Sequence, residues 1–450
     1  MTKEKRKTFT EGPILKQLIL YALPLVATNV LQLLFNAADV AVVGIFAGDK
    51  PVAAVGATGA LINLIVGLFV GLSVGANVLV ARFVGEENEE GARKVVGVSV
   101  LFSLSAGVFL SIVGFFGAET FLRWMGCDVE VLDMAAKYLK IYFLGMPIML
   151  LYNYSASILR AIGDAFRPFI FLVIAGVLNV GLNFLFVAIL KKDVEGVAIA
   201  TVASQAFSAV CCFIVMRKEK GYAKFEWKYC KIYKREFIEM LRIGLPAGIQ
   251  GCAFALSNVL VQSSINSFGT TVMAANTVAA QIDGVIYQAI NGVSLATLAF
   301  ISQNFGAGKM DRIKKAVRVS LALITGVGVF LGLLVVFLRE PLCHIITDDK
   351  EVVKIAGERI FIIGVSYFII GIMEVYNNST RGMGRSTLAM LVNLSGNCLF
   401  RIVWILTIFR WVHTLTCLYL IYPVSWAVTC VAALLAYRFT YRKAKEKLGK

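Results

Sequence analysis

Asn29, Gln32, Asn36 and Asp39 are polar side chains in an otherwise apolar stretch, separated by steps of three, four and three residues. At 3.6 residues per turn they form one stripe along a helix. Asp39 is the single carboxylate within the apolar stretches of the first half of the chain. Insertion scales put a charge at the bilayer centre at about 2.5–3.5 kcal/mol, so such a group persists for a reason. Burial disfavours the charged form of a lone carboxylate. It can therefore load and release a proton, or hold a sodium ion with neighbouring amide oxygens. The structural alternative is a packing hydrogen bond between helices, or a position near the outer interface. Asn179 and Asn183 lie four apart in one later stretch, and Thr201 and Gln205 in the next. Each pair shares a helix face and can complete the surroundings of Asp39.

The second half carries its own polar set. Asp283 has Asn276 and Tyr287 on its face, Glu374 has Asn377 and Asn378 one turn on, and Arg401 follows in the next apolar stretch. Pairing of Arg401 with Glu374 or Asp283 would neutralise both charges, the usual intramembrane solution. These residues form a possible second polar or cation site.

The elements that must position these groups follow from hydropathy. Of the 450 residues, 58% are hydrophobic and 16% charged, with a mean hydropathy of +0.78. Soluble chains run nearer 45–50% apolar and about 25% charged. A span needs about 20 mostly apolar residues. Breaking the chain at charges and turn residues predicts helices at 16–44, 53–81, 95–117, 136–158, 168–190, 196–216, 237–264, 274–302, 316–338, 355–378, 388–409 and 413–437. With both termini cytoplasmic, about 32 of the 44 Lys and Arg residues fall inside, as the positive-inside rule requires. The first apolar run is too long and too polar to be a cleaved signal segment.

The second half echoes the first. Gly71-Leu-Ser73 matches Gly292-Val-Ser294, Gly85 matches Gly306, and Arg160 with Gly163 matches Arg381 with Gly384, all at one spacing; Leu23-Pro24 matches Leu245-Pro246 with one residue's displacement. Each repeat holds six spans, so both copies enter from the same face. The fold class is an all-α membrane protein, with twelve transmembrane helices in two pseudo-symmetric six-helix lobes. Residues 1–15 form a cytoplasmic segment, 16–216 the first lobe, 217–235 a basic cytoplasmic linker, 236–438 the second lobe and 439–450 a basic tail. Asn63, Gly67, Gly71 and Gly75, spaced by four, mark a face where another helix approaches closely.

Several function classes are excluded. The net charge of +16 does not indicate nucleic acid, because the basic residues sit in short gaps between apolar stretches. The nine cysteines include no C-x-x-C, so no zinc site or disulfide framework is read. No G-x-x-x-x-G-K-[ST] is present, so no nucleotide-hydrolysing motor is encoded. H-E-x-x-H and G-x-S-x-G are also absent, and no carboxylates are spaced to hold magnesium for an intramembrane transferase. The chain reads as a transporter, not an enzyme, energised by an ion gradient and without a cofactor.

The chain resembles the multidrug and toxic compound extrusion (MATE) family of bacterial efflux pumps. The residues that carry the likeness are Gly12-Pro-Ile-Leu15, Ala22-Leu-Pro24, Asn36-Ala-Ala-Asp39, Ala53-Ala-Val-Gly56, Gly71-Leu-Ser-Val-Gly75-Ala-Asn77, Leu159-Arg-Ala-Ile-Gly163-Asp164, Gly196 through Gln205, and Arg381-Gly-Met-Gly384. The resemblance implies two lobes arranged as a V around a central cavity. It implies exchange of a proton or sodium ion for small organic, often cationic, drugs or toxic compounds across the bacterial plasma (inner) membrane, by a monomer in the lipid bilayer. It implies ion coupling at Asp39, Asn179 and Asn183; several family members carry Asp where this chain has Asn183. Substrate contacts are expected from Gln32, Asn36, Thr201 and Gln205. The alternative is a flippase for lipid-linked precursors from the same superfamily, which is expected to show a more strongly cationic cavity.

Overall fold

A computed structural model describes residues 8–448; residues 1–7 of the expected N-terminal segment and 449–450 of the expected tail lie outside the described residues. The described residues form α1 (Ile14–Ala47), α2 (Asp49–Gly85), α3 (Glu89–Trp124), α4 (Val129–Leu144), α5 (Met146–Ala161), α6 (Phe166–Asn183), α7 (Asp193–Lys218), α8 (Lys234–Asn266), α9 (Thr270–Gly306), α10 (Met310–Phe337), α11 (Arg339–His344), α12 (Lys350–Gly364), α13 (Tyr367–Gly382), α14 (Ser386–Asn393), α15 (Phe400–Leu406), α16 (Ile408–Trp411) and α17 (Leu415–Leu448). Among them, ten helical segments are long and apolar enough to cross a membrane. The bent pairs α4/α5 and α12/α13 bring the number to twelve. These twelve fall on the twelve predicted spans.

The fourth and tenth spans are broken for different local reasons. Between α4 and α5 the axis turns by 50°. Pro147 sits in the first turn of α5, where it lacks the N–H that would continue α4. Between α12 and α13 the bend is 45° with no proline. There the Ser366 hydroxyl donates to the carbonyl of Ile363 at 2.7 Å, a local side-chain bond that competes with the helical ladder.

Contacts divide the chain into two units whose boundaries differ from the expected lobes. The N-unit is Val30–Gly248; the C-unit is the chain up to Asn29 together with the chain from Ile249 on. Each half's leading helix, α1 or α8, thus gives its first part to the unit built mostly from the other half. Glycine explains why. In the N-unit, a Cβ on Gly75 of α2 would lie 2.1 Å from the Met240 carbonyl oxygen, and one on Gly71 would lie 2.4 Å from Gly248 Cα. The start of α8 therefore lies backbone to backbone on α2. In the C-unit, a Cβ on Gly292 of α9 would lie 2.7 Å from Val26 Cα, so the start of α1 lies on α9 in the same way. Gly71 and Gly292 are repeat partners, and so are α1 and α8.

The connecting segments are packed. Between α7 and α8, Ala223 and Phe225 are buried, and Glu226 pairs with Arg93 at 3.0 Å and Lys228 at 2.9 Å. Lys228 and Lys224 hold the Glu226 carboxyl below the usual carboxylate range. The basic linker thus docks on α3 within the N-unit. Within the C-unit, Phe9 is buried beside Tyr21 and Phe300, with ring centroids at 4.8 and 5.1 Å. Its carbonyl accepts from Arg312 at 3.0 Å and from Asn304 at 3.1 Å. The basic tail expected from 439 onward continues α17.

Candidate functional site

In the N-unit, four of the residues singled out from sequence converge. The Asn183 amide donates from Nδ2 to Asp39 Oδ1 at 2.5 Å and to Asn179 Oδ1 at 3.2 Å. The Thr201 hydroxyl lies 3.4 Å from Asp39 Oδ2 and 2.9 Å from the Val197 carbonyl. Asn179 and Asn183 are buried, and Asp39 is half-buried. Asn183 closes α6, and the chain continues from it as a π-helical turn, Phe184–Ile189. Such turns recur at functional sites because the extra residue re-aims neighbouring groups. The Asn183 Oδ1 atom is buried and accepts no hydrogen bond among the described residues.

Other members of the expected set stand apart. Asn29 belongs to the C-unit, where its amide donates to the Gln288 carbonyl at 3.3 Å. Gln32 and Asn36 are exposed, and no hydrogen bond joins them to Asp39. Gln205 is half-buried. Sequence reasoning missed Tyr138 and Tyr142 of α4, whose rings stack at 6.1 Å and interact electrostatically with Asp39. Their four-residue spacing was the available signal.

In the C-unit the expected pairing of Arg401 with Glu374 or Asp283 is not formed. Asp283 is taken by Arg359, at 3.0 Å, and also accepts from the Tyr367 hydroxyl. Arg359 in turn donates to the Asn276 carbonyl at 2.7 Å. It lies near the start of the tenth predicted span, 355–378, and was not among the residues singled out from sequence. Glu374 instead interacts with Arg381, two turns along α13. Arg401 donates to Asn258 Oδ1 and Ser425 Oγ, both at 3.2 Å, and lies between the faces of Tyr422 and Phe254. Removing one partner of a buried ion pair leaves the other charge uncompensated. Arg359→Gln is therefore expected to cost about 3–5 kcal/mol. Asp283→Asn with Arg359→Gln should restore much of that loss, as measured by thermal unfolding in detergent.

A cavity of about 90 Å³ lies in the C-unit, lined by Gln250, Phe254, Tyr287, Glu374, Asn393 and Asn397 among others. Asn397 donates to Asn393 at 3.0 Å across a second π-helical turn, Leu394–Leu399. The N-unit pair Asn179–Asn183 has the same four-residue spacing but lies wholly in α6, before its π-helical turn, and is not the repeat partner of Asn393–Asn397. The four-residue asparagine spacing was visible in the eleventh predicted span and was overlooked there. Among the described residues, no group of three or more His, Cys, Asp or Glu side chains is placed to hold a metal ion.

A family model described as MatE matches residues 24–185 and again 246–407, one match in each half. The chain is 29% identical over 378 residues to a Bacillus subtilis protein named probable multidrug resistance protein YoeA, covering 82% of this chain and 81% of that protein. It is 25% identical over 392 residues to probable multidrug resistance protein NorM of Thermotoga maritima, covering 84% and 82%. Among solved structures, an outward-facing multidrug resistance MATE family transporter of the MOP superfamily superposes with a TM-score of 0.92 at 20% identity, covering 99% of this chain and 100% of that one. The doubled match, falling on the repeat that Gly71 and Gly292 mark, shows that the chain belongs to the MatE family of multi-pass membrane transporters.

Proposed function

We propose that this chain is a secondary antiporter that exports organic, often cationic, compounds in exchange for protons across the bacterial plasma membrane, with both termini cytoplasmic. The names of its relatives support multidrug export. One observation carries the choice of ion: the shortest hydrogen bond to the Asp39 carboxylate comes from a donor, Asn183 Nδ2 at 2.5 Å. A sodium site needs converging oxygen ligands. A carboxylate held by an amide donor suits a group that alternates between charged and protonated forms. Charged Asp39 accepts from Asn183 and attracts an organic cation. Protonated Asp39 can donate to the unpartnered Asn183 Oδ1 after the amide turns over. Pro24 removes a backbone donor within α1 and gives that helix a point of flexure.

The two contacts to Asp39, from Asn183 and Thr201, differ in weight. The Thr201 hydroxyl carries one proton and has the Val197 carbonyl as its nearer acceptor. Asn183→Leu deletes a hydrogen bond to a charged group, worth about 1.5–3 kcal/mol, and should slow proton-driven efflux roughly tenfold or more. Thr201→Val should stay within about threefold of the parent, because its bond to Asp39 is long and shared. The assay is efflux of a fluorescent cation from proteoliposomes under an imposed proton gradient. Equal losses in the two variants would contradict the assignment of Asn183 as the principal donor.

A further inference from the structure

We infer that the C-unit cavity receives a carboxylate carried on a zwitterionic organic substrate, and that the charge of Arg401, which stands behind the cavity lining, is what attracts it. The inference rests on the reading of the chain as an exporter of organic compounds and narrows its substrate class.

The argument begins with charge. Arg401 is fully buried, at 0% exposure, and no carboxylate lies within ion-pairing distance of it among the described residues. Its neutral partners are Asn258 and Ser425, and one terminal nitrogen of the guanidinium, Nη2, has no hydrogen-bond partner. Aromatic faces at 4.7 and 5.5 Å stabilise the cation but do not cancel its charge. A buried cation of this kind is normally paired. The Asp283–Arg359 pair shows that the same unit does pair a buried arginine when the charge is structural.

Arg401 does not itself line the cavity but stands directly behind residues that do. Phe254, whose ring covers the Arg401 guanidinium, lines it, as do Asn397 and Cys398, one turn before Arg401. Glu374 is the single charged residue in the lining, and Arg381 offsets it; Arg381 also donates to the lining residue Gln250 at 2.7 Å. With Glu374 and Arg381 matched, Arg401 leaves the neighbourhood one positive charge in excess. A volume of about 90 Å³ admits a carboxyl-sized group, and Phe254, Tyr287, Ile370, Met373 and Leu394 supply apolar walls for the carbon skeleton next to it. The stacked rings of Phe254 and Tyr287, at 6.4 Å, favour a flat aromatic portion.

The test compares two fluorescent dyes that differ only at one carboxyl group, a rhodamine with a free carboxylate and the same rhodamine as its ethyl ester. Binding to the full chain in detergent is followed by fluorescence anisotropy, without any ion gradient. The acid is expected to bind Arg401→Gln about ten- to a hundredfold more weakly than the parent, with the ester within about twofold. Retained ester binding shows that the variant is folded. Glu374→Gln, which removes the one negative charge from the lining, is expected to tighten binding of the acid several-fold and leave the ester unchanged or weaker. Equal effects of Arg401→Gln on both dyes, or no tightening of the acid by Glu374→Gln, would overturn the inference. Failure of the parent to bind either dye would instead sink the exporter reading, and this inference with it.

Discussion

Asp39→Asn is expected to abolish uphill efflux while leaving the protein folded, with organic cations bound more weakly. Asparagine keeps the size and planarity of the side chain, so the contact with Asn183 survives as an amide–amide hydrogen bond. It cannot take up or release a proton. For one-for-one exchange with a cation no net charge moves, so a pH difference of one unit, worth about 1.4 kcal/mol, sustains a substrate gradient of up to roughly tenfold. Without the titrating group that gradient should collapse to about unity, with only passive equilibration remaining. Proteoliposomes carrying the variant would show a plateau in substrate distribution equal to that of protein-free liposomes. A plateau still several-fold above that level would mean that coupling resides elsewhere, with Glu374 the next group to test.

The second large effect is structural. Gly75→Leu is expected to prevent recovery of folded protein, and Gly75→Ala to lower stability by about 1–3 kcal/mol or more. The added Cβ would stand 2.1 Å from the Met240 carbonyl oxygen and 2.9 Å from the Gly244 nitrogen. Both are backbone atoms of α8, so no rotamer change relieves the clash. The reciprocal positions are equally tight, since a Cβ on Gly244 or Gly248 would meet the carbonyl oxygen of Leu72 or Leu68 at 2.4 or 2.5 Å. Gly67→Ala makes the control. No atom lies within 4 Å of a Cβ there, and alanine gains roughly 0.5–1 kcal/mol over glycine within a helix. Thermal unfolding in detergent should therefore move in opposite directions for Ala at positions 67 and 75. A fall of equal size at both positions would contradict the crossing of α2 and α8 described above.

The glycines also show what can be read from a sequence of this kind. Gly67, Gly71 and Gly75 share one face by spacing, and spacing alone gives them equal standing. Only Gly71 and Gly75 meet another backbone. Span positions were legible because lipid sets a minimum length for an apolar helix, and all twelve predicted spans have a counterpart. The Asp39 site was legible because four-residue spacings fix a shared helix face, so Asn183 could be set beside Asn179 and aimed with it. Depth and axial rotation are not encoded in hydropathy, and they decide which partner a charge finds. Asp283 pairs with Arg359 and not with Arg401 for that reason. The stripe ending at Asp39 divides after Asn29 because α1 changes unit there, a consequence of close backbone packing that no local pattern reveals.

Proton movement driven by substrate is the most direct test of the account. Purified protein is reconstituted into liposomes loaded with a pH-sensitive dye in sodium-free buffer, and a fluorescent organic cation is added with no gradient imposed. The expected result is a change in internal pH opposite in direction to the substrate flux, present in the parent and lost in Asp39→Asn. A pH change that survives in Asp39→Asn, or substrate exchange that appears only when sodium is supplied, would contradict it.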